Sequence, residues 1–201
     1  MSVVKEIKSA GILPFAVLKK RVFFLLGKEV FEPGYADSDR WGSFGGSLEE
    51  GESVEEGAAR EFYEETAGVV MELAEVRQQL SETRYALYSD LHPEHHSSFR
   101  VYLMPVPYRD YPSMFRRTKH FIQYIKGDIK VIEKSQLRWF TLQEVQDTVF
   151  HRWGEDRYTR KPKFRAKFAE TMRRLFDSCD LQQCCVRAAV TYNCKNHGVR
   201  R

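Results

Sequence analysis

The chain has 201 residues, 42% apolar and 13% aromatic, enough to bury one large domain or a domain with an extension. It lacks the run of about 18 apolar residues that a membrane-crossing helix needs, and Met1-Ser2-Val3-Val4-Lys5-Glu6 has no basic stretch followed by a long apolar one, so an intracellular, cytoplasmic protein is expected. The net charge of +4 is unevenly spread: residues 1–150 carry 19 Lys/Arg against 23 Asp/Glu, and residues 151–201 carry 13 against 5.

Ala10 to Leu18 reads as a buried strand, Lys19-Lys20 as a turn, and Arg21 to Gly27 as the hairpin partner. Residues 31–40 are turn-rich. Trp41-Gly42-Ser43-Phe44-Gly45-Gly46 is a short element whose glycines allow close approach of a ligand. A helix is predicted from Val54 to Thr66, opened by Ser53 with Glu56 at the capping-box position and stopped by Ala67-Gly68. Strands are predicted at Val69 to Leu73, Thr83 to Tyr88 and Phe99 to Val106, with an exposed loop over residues 90–96. Pro112 to Ile125 reads as a helix anchored by Phe115, Phe121, Ile122 and Ile125. Leu137 to Phe140 reads as a strand, followed by a helix capped by Thr141 with Glu144 in the box position, and Lys163 to Phe176 as a last amphipathic helix. Strands and helices alternate irregularly, which predicts an α/β fold with a mixed sheet and helices on its faces.

Within the predicted helix at Val54 to Thr66 lies the run Arg60-Glu61-Phe62-Tyr63-Glu64-Glu65. At about 100° per residue its three carboxylates share one face. Like charges at that spacing repel, so the cluster points to a divalent cation that absorbs the repulsion. An all-oxygen site suits Mg²⁺ or Mn²⁺, ions that commonly hold phosphate oxygens.

From Gly46, five residues lead to Glu52, seven more to Arg60-Glu61-Phe62, and one more to Glu64-Glu65. This resembles the Nudix box, the signature of the Nudix hydrolases. The spacing matches up to Glu65; beyond it, Ala67 stands where the family has Gly and Gly68 where it has an aliphatic residue. The opening hairpin, the Trp-x-x-Phe-Gly-Gly element and the tract Glu133 to Val145 extend the likeness over residues 5–150. The resemblance implies a Nudix α/β/α sandwich over 5–150, with 151–201 a basic extension holding a helix and a Cys-containing tail. It implies Mg²⁺ or Mn²⁺ held by Glu61, Glu64, Glu65 and the Gly45 carbonyl. Arg60 would orient a helix carboxylate, and Glu52 would support it.

The implied reaction is hydrolysis of a phosphoanhydride bond in a nucleotide-type substrate: a nucleoside triphosphate, a nucleotide sugar, a dinucleoside polyphosphate or NADH. The base is expected to be Glu65 or Glu64, or else a glutamate from a distant loop: Glu133, Glu94 or Glu82. Trp41, Phe44 and Tyr35 are candidates to stack on a base. Arg40, Lys28 and Arg84 are candidates to reach phosphates, and Gly46 to approach the substrate. The basic extension suggests an alternative, RNA or an inositol pyrophosphate gripped by Arg157, Arg160, Lys161, Lys163, Arg165, Lys167, Arg173 and Arg174, with removal of an mRNA cap as the reaction. A nucleotide-sensing module without catalysis is a further alternative, and a homodimer is expected by resemblance. Cys179, Cys184, Cys185 and Cys194 lie in the last 23 residues and read as free thiols in a loose tail, with zinc binding alongside His197, or redox chemistry, as rivals. The loop His92-Pro93-Glu94-His95-His96 is a weaker zinc candidate.

Overall fold

The computed structural model describes residues 7–82, 86–91, 98–126, 133–151 and 162–196. Its strands are β1 (Ile7–Leu18), β2 (Arg21–Glu29), β3 (Trp41–Gly42), β4 (Phe44–Ser47), β5 (Ala86–Leu91), β6 (Ser98–Pro105) and β7 (Lys134–Thr141). Its helices are α1 (Val54–Glu65), α2 (Leu73–Glu82), α3 (Tyr111–Lys126), α4 (Leu142–Val149), α5 (Ala166–Ser178) and α6 (Leu181–Asn196).

The strands form one mixed sheet. β1 is its spine: it pairs antiparallel with β2 and with β4, and parallel with β6. β2 also pairs antiparallel with β7 and β3, and β5 closes the far edge on β6. The β1–β2 hairpin turns at Lys19 and Lys20, both at positive φ (49° and 64°), as a two-residue turn requires.

Side chains alternate across the sheet and define two cores. Ala10, Ile12, Leu25, Tyr102 and Met104 face one side, where Ala58, Ala59 and Phe62 of α1, Val76 and Leu80 of α2 and Phe115 of α3 cover them. Leu13, Phe15, Phe24, Leu26, Val101 and Leu103 face the other side. There the cover comes from α4 and, to a large extent, from the extension: Phe168, Met172 and Leu175 of α5 and Leu181, Cys185 and Ala188 of α6. The second helical layer of the sandwich is thus largely built by residues beyond 150.

Both predicted capping boxes form. Ser53 Oγ accepts from the Glu56 amide while the Glu56 carboxylate accepts from the Ser53 amide, and Thr141 and Glu144 repeat the arrangement at α4.

Three expectations are corrected. Val69 to Leu73 is not a strand. Ala67 and Gly68, at φ 51° and 65°, turn the chain out of α1, and Val70 and Met71 plug the first core on the way into α2. On α3, Phe115 and Ile122 pack inward, but Phe121 and Ile125 are 62% and 56% exposed. The cysteines do not lie in a loose tail: Cys184 and Cys185 sit on α6, and Cys185 is buried against the sheet. Of the predicted strand at 83–88, the part before Ala86 lies outside the described residues, as do Arg84 and residues 92–96 of the predicted loop, while Asp90 and Leu91, read as loop, continue β5.

Candidate active site

β4 delivers Gly45 and Gly46 to the C-terminal half of α1, and position 45 has to be glycine there. Gly45 adopts φ 152°, and a Cβ on it would lie 2.4 Å from the Cα of Gly11 on β1. A Cβ on Gly46 would lie 2.6–2.8 Å from the Glu61 carboxylate atoms. The turn therefore presses directly on the box helix, with Phe44 and Phe62 meeting edge to face beneath it at 5.5 Å.

Arg60 organises the carboxylates. Its Nε and Nη2 donate to the two oxygens of Glu52 at 3.0 and 3.1 Å, its Nη1 donates to Glu61 (3.0 Å) and Glu64 (3.2 Å), and Nη2 also reaches the Ser47 carbonyl. The Arg60 hydrogen bonds hold the Glu52 pKa below the usual carboxylate range. Burial raises that of Glu61, against the pull of Arg60, and the charges of Glu64 and Glu133 add to the rise.

Glu65 is placed differently. It is 3% exposed; its Oε2 accepts the Gly45 amide at 2.8 Å and its Oε1 lies 2.6 Å from Lys134 Nζ. Lys134 is fully buried, and its ammonium also lies 2.5 Å from Glu29 Oε1. Arg165, just before α5, approaches the same Glu29 oxygen at 2.8 Å and Asp37 at 3.2 Å. The result is a line of alternating charge, Asp37–Arg165–Glu29–Lys134–Glu65. Burial outweighs Lys134 and pushes the Glu65 pKa up to about 7, with Glu29 adding to the rise. Burial alone would lower the Lys134 pKa, but Glu65 and Glu29 outweigh it and leave it raised.

These groups open onto a cleft of about 830 Å³ lined by Glu29, Glu61, Glu65, Glu133, Lys119, Lys134, Arg165, Gly45, Gly46, Tyr35 and Phe31 among others. Glu64 is not in its wall but stands beside it, its side chain 49% exposed. Lys119 donates to the Lys134 carbonyl at 2.8 Å, and burial lowers its pKa.

The family model for the NUDIX domain matches residues 7–161, most of the chain. The chain belongs to the Nudix family. It is a hydrolase of the acid-anhydride class, and its fold is the Nudix α/β/α sandwich. A comparison with curated proteins gave no match. Solved structures similar to this Nudix chain include a Nudix hydrolase from M. smegmatis, RenU, 14% identical, with 85% of this chain and 84% of that one covered and a TM-score of 0.48. The NUDIX domain of Shewanella oneidensis NrtR complexed with ADP ribose is 15% identical over 85% and 88%, TM-score 0.47. An Ap4A hydrolase of C. elegans is 16% identical over 86% and 97%, TM-score 0.47.

Several residues singled out in the sequence stand elsewhere. Phe44 is fully buried beneath the site, and Trp41 is 8% exposed with its ring on Phe140, so neither ring is placed to stack on a substrate. Arg40 donates to the Phe164 carbonyl, and Lys28 pairs with Asp39 and lies over Trp41; neither lines the cleft. The group that Gly45 turns to Glu65 is its amide, not its carbonyl. Glu82 ends α2 away from the cleft wall, and Glu94 lies outside the described residues. Glu133 and Tyr35, in contrast, do line the cleft.

The family's divalent cation can be weighed against the donors present. Glu61, pressed against Gly46, and Glu64 share Arg60 and offer oxygen ligands of the right hardness. Glu65 has both oxygens engaged by protein donors. Among the described residues, no group of three or more His, Cys, Asp or Glu side chains is already gathered to hold an ion. That holds for the cysteines too; the Cys194 side chain and His197 lie outside the described residues. Burial keeps the Cys185 thiol well above its ordinary pKa. No helix among the described residues is long and apolar enough to cross a membrane.

Sequence reasoning missed Glu29, Lys134, Lys119 and Arg165 as parts of one site. Glu29 and Lys134 are 105 positions apart, and no local pattern joins them.

Proposed function

We propose that the protein hydrolyses a phosphoanhydride bond in a nucleoside-diphosphate-linked substrate, with Mg²⁺ or Mn²⁺ held at Glu61 and Glu64. The observation that carries this reading is the make-up of one cleft wall. Carboxylates for a cation and the Lys119 ammonium for phosphate oxygens meet around Gly45 and Gly46.

Held there by Glu61 and Glu64, a divalent ion would neutralise diphosphate charge and lower the pKa of a bound water. The chain's own groups do the rest. Arg60 holds Glu61 and Glu64 side by side. Glu133, exposed in the cleft wall, accepts the proton of the attacking water; Glu64 is its rival for that role. Lys119 faces the phosphates as a donor. Tyr35 and Phe31, 44% and 72% exposed, offer flat surfaces to a base.

The test is release of phosphate or nucleotide from a panel of nucleoside triphosphates, nucleotide sugars, dinucleoside polyphosphates and NADH with Mg²⁺ or Mn²⁺. We expect turnover of at least one class, reduced by about 100-fold or more in Glu61→Gln and Glu64→Gln. No turnover of any panel member by folded protein overturns the reading. Glu133→Gln decides the base: loss of the acidic limb of the pH–rate profile assigns it, and an unchanged profile gives the role to Glu64.

No separate observation favours the RNA or inositol pyrophosphate alternative. Arg165 is tied to Glu29 and Asp37, Arg173 to the Val149 carbonyl and Arg174 to Glu170, while Arg157, Arg160 and Lys161 lie outside the described residues.

A further inference from the structure

We infer that Lys134 is a built-in cation of this site: its ammonium takes the place on Glu65 that a divalent ion would occupy, so ion binding rests on Glu61 and Glu64 without Glu65. The inference deepens the proposed metal-dependent reading and rests on it.

Both oxygens of Glu65 are engaged by donors of the protein itself. Oε1 is 2.6 Å from Lys134 Nζ and Oε2 accepts the Gly45 amide at 2.8 Å, with both the Lys134 and Glu65 side chains almost wholly out of solvent. The ammonium is also fixed from behind. Glu29 Oε1 lies 2.5 Å from it, and Arg165 clamps that same oxygen at 2.8 Å from the other side. The aliphatic stem runs in a groove that exists because residue 27 is glycine: a Cβ there would lie 3.1 Å from both Cγ and Cδ of Lys134. On the backbone, Lys134 stands opposite Glu29 in the β2–β7 ladder, and its carbonyl is held by Lys119.

A buried ammonium is costly unless paired, and two carboxylates pair this one. A divalent ion brought to Glu65 would have to displace the ammonium from Glu65 and share the site with its charge. At Glu61 and Glu64 it meets only the exchangeable edge of the Arg60 guanidinium, which keeps Glu52 as its main partner.

The experiment is Mn²⁺ binding to the full chain, counted by electron paramagnetic resonance and by titration calorimetry, with folding followed by circular dichroism. Wild type is expected to bind Mn²⁺. Glu65→Gln, which leaves Lys134 its Glu29 partner, is expected to bind the same number of ions with affinity within about threefold, whereas Glu61→Gln loses tenfold or more. Lys134→Met is expected to gain an ion or bind Mn²⁺ at least tenfold more tightly, because Glu65 Oε1 is freed. If Lys134→Met fails to fold, the Glu65→Gln arm decides alone. A loss in Glu65→Gln equal to that in Glu61→Gln overturns the inference: Glu65 is then a direct ligand and Lys134 a displaceable counter-ion. A folded wild type that binds no Mn²⁺ brings down the metal reading itself, and this inference with it.

Discussion

Arg165 Nη1 lies 2.8 Å from Glu29 Oε1, so a residue beyond the family-matched segment reaches the wall of the cleft and closes it beside the box helix. The backbone secures the approach. Trp41 donates to the Lys163 carbonyl at 2.8 Å, and the Arg165 amide donates back to the Trp41 carbonyl at 2.9 Å. Removing the guanidinium leaves Glu29 with Lys134 alone. Arg165→Ala is expected to lower kcat/KM about tenfold and stability by about 1–3 kcal/mol, with partial recovery in Arg165→Lys. Gly42→Val should reproduce the defect, since a Cβ at position 42 would lie 2.8 Å from Arg165 Cδ. Kinetics and thermal melts of the three variants check this.

The end of the box helix carries a correctable strain. Gly68 donates to the Tyr63 carbonyl and Ala67 to that of Glu64, the pairing of a helix end whose turning residue is left-handed. That residue is Ala67, at φ 51°, where glycine carries no Cβ penalty. Ala67→Gly is expected to stabilise the protein by roughly 0.5–1 kcal/mol without changing turnover. A denaturant titration that shows a loss of stability would remove the strain argument.

Stability should depend on pH through two carboxylates of opposite sign. Glu52, with its pKa lowered by Arg60, contributes stability that is present above its unfolded value of 4.5 and lost as pH falls through its lower folded value. Glu65, with its pKa raised by burial from 4.5 to about 7, contributes stability that is full below 4.5 and lost as pH rises through about 7. In metal-free protein, Glu52→Gln is expected to flatten the acid limb of the stability profile. Glu65→Gln should remove a decline on the order of 3 kcal/mol between those two values. Urea titrations from pH 3 to 8 make the comparison.

The extension and the sheet should unfold together. Met172 of α5 is fully buried in the same core as Phe24, Leu26 and Phe140. Met172→Ala is expected to cost about 2–5 kcal/mol and to lower a single thermal transition. An early melting of part of the helical signal, with the main transition unmoved, would mean that residues beyond 150 are a separate unit.

The box helix is legible without a structure because its signals lie within a few residues of one another. Ser53 and Glu56 cap it, Phe62 with Ala58 and Ala59 gives it an inner face, and Glu61, Glu64 and Glu65 follow by helical spacing. The β1–β2 hairpin is legible for the same reason. Aromatic character alone misled at Trp41 and Phe44, because the same rings serve a core or a substrate and only burial tells which. α6 was hidden by a sequence whose apolar residues are weakly patterned, and it is a helix in a structure that needs its second face covered.

By itself the sequence determined the reaction class, since a capped helix with carboxylates at fixed spacing from a Gly-Gly turn is a local arrangement. The tertiary structure alone decided which of those carboxylates are already paired with a buried ammonium. The β2–β7 register sets Lys134 opposite Glu29, the folding back of the extension adds Arg165, and the buried ammonium then claims Glu65. Charge pairing of this kind depends on distances in space between residues far apart in the chain, which no local periodicity encodes.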